Sequence, residues 1–483
     1  MVATLPISVA ARPAAAKAVP ATPQLGANAP SVSLPLAFIL TGVCALCVAM
    51  IWLVLHPELL ATYHYNQYVI AVTHLFVLGW ILSIVTGAMY QLVPVALETR
   101  LDSERLAWWH FAFHVVGFIG MVCMFRAWNM KQVGHFGSGL AFGVGLFVYN
   151  IARTLRLAPR WNVTATAVTA ALGWISLTVT AGLFLAIAKC TYESTEGLAT
   201  AGGVRTLVGG LRSVAGFMTR FDAISAMHAH AHLGGIGLFL MLLVGVSYKL
   251  IPMFILSEIQ SRQRAAWSIG LLNVGLAGSF VTILLRSPWK LAFALLLLIG
   301  LTLYGIELTM ILRARKRRLL DWGIKYFLTA IGLLVPTAGL AMVISWPALP
   351  LNVLTGQLEN LYGFLGFIGV ISLAMVGMLY KIIPFLVWFG RYSRQIGRVQ
   401  VPALSDLYST RLQAAGYWAF LAGIIATSLG IVWSSQIAVR IGCFLLVLAI
   451  TTLVINIAGM LSHFFKPKLN PLTVRTPTAP KPA

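Results

Sequence analysis

Apolar residues in this chain neither alternate nor recur every third or fourth position. They run on for about 20 residues at a time, and the polar positions collect between the runs. A helix of ~20 residues crosses the ~30 Å hydrocarbon layer of a bilayer. In hydrocarbon a single segment can satisfy its own backbone only as a helix. Twelve spans are expected, near 34–55, 67–94, 106–126, 135–155, 165–188, 222–252, 267–286, 289–312, 325–345, 359–386, 412–433 and 438–463. The fold class that follows is an all-α polytopic membrane protein, with a membrane domain at 33–465. The Ala- and Pro-rich residues 1–32 and the end 466–483 read as disordered cytoplasmic tails.

Composition agrees with the pattern. The chain is 59% hydrophobic and 10% charged, with a mean hydropathy of +0.88, whereas a soluble domain carries about 25% charged residues. A formal charge of +22 would suggest nucleic acid as a partner, but the charges lie between apolar runs rather than along one face. The lipid bilayer is the partner they imply, and in a membrane protein they set topology. The basic groups Arg100, Arg105, Arg153, Arg156, Arg160, Arg262 and Arg264 border the even-numbered loops. So do the cluster Arg313 to Arg318 and Arg391, Arg394 and Arg398. Both termini are therefore expected in the cytoplasm, in a bacterial-type inner membrane. The long outer loop, about 189–221, is expected to be functional or an interfacial cap. Cys44 and Cys47 form a C-x-x-C inside the first span and read as small core residues.

Three spans are copies of one another. HLFVLGWILSIVTGAMYQLVP begins at His74, HLGGIGLFLMLLVGVSYKLIP at His232 and FLGFIGVISLAMVGMLYKIIP at Phe364. Gly79, Gly237 and Gly369 coincide, as do Gly87, Gly245 and Gly377, Tyr90, Tyr248 and Tyr380, and Pro94, Pro252 and Pro384. The first column precedes the Tyr by 16 residues each time. The copies recur every four spans, which predicts three four-helix units about a pseudo-threefold axis, with repeat helices at 67–94, 222–252 and 359–386. The glycines allow close helix approach, and the prolines are expected to end each helix at the inner surface.

The candidate chemistry lies in the sixth span, where His228, His230 and His232 stand inside an apolar run. Ionisable groups at that depth are costly and mark functional sites. At ~100° per residue His228 and His232 share a face and His230 points away from both. His74 and His232 share a repeat column and sit about 10–15 Å below the outer surface, at ~1.5 Å per residue. Two imidazoles at one level, bordered by glycine, suit the two axial positions of a haem. His230 suits either a second haem or metal, or a hydrogen-bonded role. His228 reads as a bonded interfacial histidine, and His56 and His64 as solvated loop residues. His110 and His114, an i, i+4 pair on the third span, read as structural. Glu307 is expected to bond or snorkel near the inner interface, and Lys249 and Lys381 to snorkel.

At His74, His230 and His232 the sequence resembles subunit I of the haem–copper oxidase superfamily, which includes cbb3-type oxidases and the nitric oxide reductase large subunit. The run HAHLGGIGLFLMLLVGVSYKLIP is similar to the His-x-His helix of the cbb3-type branch. The resemblance implies twelve core helices in three repeats, a low-spin haem b on His74 and His232, and a second, high-spin haem on His230. The chain departs from the family in two ways. Its His-x-His lies on the sixth span, not the tenth. Spans 5 and 7 to 11 hold no histidine, so the family's copper site, and with it the oxygen-reducing centre, is not encoded in recognisable form.

The expected function is a membrane-bound b-type haem protein for electron transfer, with Arg212 and Arg220 pairing with haem propionates. As an enzyme it would reduce oxygen or nitric oxide, with a cytochrome c or quinol donor and accessory subunits. The alternative is a haem or copper sensor, carrier or assembly factor of the nitrosative-stress type, without turnover.

Overall fold

The structure, a computed structural model, describes residues 31–193, 202–396 and 398–469. The expected tails lie outside the described residues at 1–30 and 470–483, as does 194–201 of the long loop. Among the described residues, twelve helices are long and apolar enough to cross a membrane. They are Ser33–Leu55, Gln67–Ala96, Glu104–Arg126, Met130–Arg156, Val163–Cys190, Ala223–Ile255, Arg262–Leu284, Lys290–Arg313, Trp322–Ile344, Val353–Gln395, Thr410–Val432 and Gln436–Phe465. They are called spans 1 to 12 below. This is a multi-pass membrane protein. Short polar side chains start most of the spans. Asn66, Asp222 and Asn352 each accept backbone N–H bonds at the first turns of spans 2, 6 and 10, satisfying donors that a helix leaves unpaired.

Spans 2, 6 and 10 form the interior. Their apolar windows are 67%, 67% and 78% buried, against at most 50% for any other span. The glycine columns explain how they pack. A Cβ on Gly87 would lie 2.7 Å from Phe38 Cβ of span 1, and one on Gly377 2.6 Å from the Gly323 carbonyl oxygen of span 9. One on Gly245 would collide with Ala167 of span 5. The glycines thus admit the first helix of each four-span set. The tyrosine column is buried too. Tyr90 Oη bonds His110 Nδ1 at 3.0 Å and Tyr248 Oη bonds Ser268 Oγ at 2.8 Å, while Tyr380 Oη accepts from Asn456 Nδ2 at 3.2 Å.

The copies also share backbone irregularities. Each repeat helix widens into a π-helix directly after the first column, at Leu75–Leu82, Leu233–Leu240 and Leu365–Ser372. The turns after spans 3, 7 and 11 place Trp128, Arg286 and Ser434 at φ values of 53°, 53° and 50°. A non-glycine residue held left-handed costs about 1–2 kcal/mol.

Several expectations change. Pro94, Pro252 and Pro384 lie inside their helices rather than ending them. Neighbouring helices can re-satisfy the carbonyl a proline frees. Span 10 therefore runs on to Gln395. Cys44 is exposed on the surface of span 1, not in the core, while Cys47 is half-buried. The long loop contains a helix, Gly202–Met218, packed against span 5. Glu307 does bond: fully buried, it accepts from Arg264 Nη1 at 2.8 Å and from the N–H groups of Gln260 and Ser261 at 2.6 and 2.9 Å. Lys381 pairs with Asp321 rather than snorkelling alone.

Candidate functional site: a histidine-lined cavity

At the end of the bundle where spans 2, 6 and 10 begin, a cavity of about 1790 Å³ opens between them. Pockets for small ligands hold about 300–1,000 Å³, so this one has room for more than one. Its wall is largely apolar, and His64, His74, His228, His230 and His232 line it.

His74 and His232 share a local device. His74 Nδ1 donates to the Ile70 carbonyl at 2.8 Å, and His232 Nδ1 donates to the His228 carbonyl at 2.8 Å. Each bond runs one turn back along the helix and fixes the tautomer with the lone pair on Nε2. That is the arrangement of a metal-ligating histidine. His230 differs: its buried Nδ1 makes no hydrogen bond of good geometry, and the Thr178 backbone of span 5 is near enough for only a weaker one. A buried polar atom left unpaired costs about 1–3 kcal/mol unless something outside the chain pairs with it.

The three imidazoles of span 6 do not face one way. His232 stacks on Tyr362 of span 10, with ring centroids 5.8 Å apart, and its Nε2 lies 3.4 Å from Tyr362 Oη. His230 turns toward span 5, where a Cβ on Gly182 would stand 3.0 Å from its Cε1. It lies within Coulombic reach of His74. The His74 ring packs on Phe125 at 4.5 Å, beside Ala186 of span 5. His230 thus lies within electrostatic reach of His74 and His232 stacks on Tyr362, and all four side chains line the one cavity. The sequence reading pairs His74 with His232, and both line this cavity.

Arg212 and Arg220 are exposed and do not line the cavity, and Arg220 lies over the Phe217 ring. The cations that do line it are Lys189, Arg286 and Lys290. Lys189 Nζ donates to Tyr65 Oη at 2.9 Å and lies 5.0 Å from the Trp128 ring centroid.

His64, expected in solvent, is half-buried. Its Nδ1 donates to Asn360 Oδ1 at 3.0 Å and its Nε2 stands 3.0 Å from His228 Nε2. Burial holds its pKa below the usual histidine value, against an opposing bond from Asn360. The polar wall of span 10, Glu359, Asn360 and Tyr362, escaped the sequence reading. It had a signal: Tyr362 occupies the repeat column of His230, and Asn360 that of His228. The other histidines have local partners. His114 Nε2 bonds Ser83 Oγ at 2.8 Å, His463 Nδ1 bonds Tyr392 Oη at 2.7 Å, and His56 Nδ1 pairs with Glu58 at 2.9 Å.

No family model matches the sequence, and no curated protein sequence matches it. Among solved structures the fold is similar to that of a haem–copper terminal oxidase dimer determined by cryo-electron microscopy. The TM-score is 0.63 at 11% identity, over 92% of this chain and 88% of that one. At that identity the likeness shows the fold: a twelve-span bundle of the kind found in a terminal oxidase.

Proposed function

We propose that the chain is a membrane-bound b-type haem protein for electron transfer, with His74 and His230 as the axial pair. The observation that carries this is two imidazoles, on inner helices from different four-span sets, lining one largely apolar cavity. One offers an Nε2 lone pair by virtue of its Nδ1 bond, and the other keeps a buried nitrogen without a hydrogen bond of good geometry. Haem would supply one-electron chemistry there. The chain's part is to fix the imidazole orientations, exclude water with the apolar wall and offer charge at the mouth. Lys189, Arg286 and Lys290 line the cavity and would offer charge to a propionate, in the place first assigned to Arg212 and Arg220. A second haem would take His232, beside Tyr362.

The fold likeness supports an oxidase-like subunit. Spans 5 and 7 to 11 have no histidine, and this supports electron transfer over oxygen reduction. The exposed cluster Arg313 to Arg318 lies at the opposite end from the cavity. That supports a cytoplasmic Tyr–Pro end and an outward-facing cavity in a bacterial-type inner membrane, open to a cytochrome c or quinol donor.

The test is a set of reduced-minus-oxidised spectra of detergent-purified protein carrying His74→Ala, His230→Ala or His232→Ala. The first two should each lose the bis-imidazole low-spin signal and the third should keep it. Loss in His232→Ala with retention in His230→Ala would overturn the pairing. Protein that binds no haem would overturn the function.

A further inference from the structure

Above the haem-facing imidazoles, at the mouth of the cavity, three side chains from distant parts of the chain converge. His64 comes from the turn before span 2, His228 from the first turns of span 6 and Glu359 from span 10. Their ligand atoms all lie within 4.8 Å of one another. His64 Nε2 is 3.0 Å from His228 Nε2 and 3.9 Å from Glu359 Oε2. The His64 and Glu359 side chains are 17% and 25% exposed.

The protonation state of His64 can be worked out from its neighbour. Asn360 Nδ2 donates to the carbonyl of Thr62, to the carbonyl of Leu60 at 3.4 Å and to Gln357 Oε1 at 3.1 Å. That orientation leaves Asn360 Oδ1 as the acceptor facing His64, so His64 Nδ1 carries the hydrogen. Its Nε2 then presents a lone pair to His228. Second-shell bonds of this kind orient the imidazole of a metal ligand. Two nitrogens bound to one zinc at about 2.0–2.1 Å stand ~3.3 Å apart at a tetrahedral angle, close to the spacing seen here. Glu359 must close on both imidazoles, by up to about 1.5 Å, which a side-chain rotation provides. Lys290 is near enough to His228 and Glu359 to oppose a cation, and Asp222 is near enough to His228 to favour one.

We propose that His64, His228 and Glu359 bind one divalent transition-metal ion, zinc or a similar borderline cation, with Asn360 as the positioning residue. Two imidazoles and a carboxylate leave at least one coordination position open toward the cavity. The ion would tie together three segments drawn from the three four-span sets. The site does not depend on the haem reading, because it uses neither His74 nor His230.

The experiment is a calorimetric Zn²⁺ titration of full-length, chelator-stripped protein in detergent, with Co²⁺ as a coloured substitute. Wild-type protein should bind one equivalent that survives in the His74→Ala/His230→Ala double variant. Glu359→Gln, which keeps side-chain size, and His228→Ala should each weaken binding at least 10-fold. Asn360→Leu should weaken it about 10–100-fold, as loss of an outer-shell partner does. Glu359→Gln should retain any haem spectrum, which separates failure of this site from failure of the haem site. Absence of stoichiometric binding, or wild-type affinity in both Glu359→Gln and His228→Ala, would overturn the proposal.

Discussion

Substituting Gly182 tests whether His230 is an axial ligand without touching a histidine. A Cβ there would stand 3.0 Å from His230 Cε1 and 3.6 Å from both ring nitrogens, where ordinary contact begins at 3.4 Å. Gly182→Ala therefore pushes the ring back by about 0.4 Å, near the ~0.5 Å tolerance of a preorganised site. Gly182→Val places a further methyl layer against the ring and exceeds that tolerance. Overpacking of this kind costs about 1–3 kcal/mol, and each 1.4 kcal/mol is tenfold in an equilibrium constant. Haem affinity of Gly182→Val should fall about 10- to 100-fold, with low-spin character lost, and Gly182→Ala should lie between. Titration of haem into apo-protein, followed by absorbance, measures both. Gly173→Val is the control, on the same span with nothing within 4 Å of its Cβ position. Wild-type affinity and spectrum in Gly182→Val would refute the role given to His230, since His232 faces span 10 and would not feel the change.

Other outcomes follow from the same geometry. Glu307→Ala strands Arg264 and two backbone donors and should lower stability by about 3–5 kcal/mol, read as a drop in melting temperature in detergent. Gly377→Val meets the Gly323 carbonyl and Tyr326 Cβ at 2.6 and 2.7 Å and should abolish stable folding, whereas Gly339→Val, with open space around it, should not. Asp222 caps span 6, and its carboxyl is held below the usual range chiefly by the Ser225 N–H. Its charged contribution is full above the unfolded value near 3.8 and fades as pH falls through the lower folded value. Wild-type protein should thus lose melting temperature in acid by a component absent from Asp222→Asn, and equal acid profiles would refute the assignment. Arg286→Gly should relieve left-handed strain of about 1–2 kcal/mol and raise the melting temperature while removing a cavity cation.

Hydrophobic run length placed all twelve spans, because the bilayer imposes a length and the chain has few charges to blur it. The repeat columns were equally legible, but that spans 2, 6 and 10 form the buried interior came from the structure. The far end of span 10 was not legible, because Pro384 reads as a stop when a bundle can tolerate it as an interior residue. A helical wheel separates His230 from His232 but does not order the helices around the bundle, so it does not say which of the two meets span 2. His64 carried no periodic signal, being in a turn, and its burial depends on Asn360 from a segment almost three hundred positions away. The cavity cations were misassigned for the same reason: loop residues have sequence neighbours but no face.

The π-helices bear on all of this. In an unbroken α-helix, residues 16 positions apart point about 160° away from each other. A wide i→i+5 turn absorbs roughly one extra residue, which brings the two to about 60°. His232 and Tyr248 can then both look inward from a single rod, and so can His74 and Tyr90. Excising one residue from this stretch would leave the lower half seated while swinging the imidazoles round toward lipid. The phase of the ligands is thus written into the backbone beneath them.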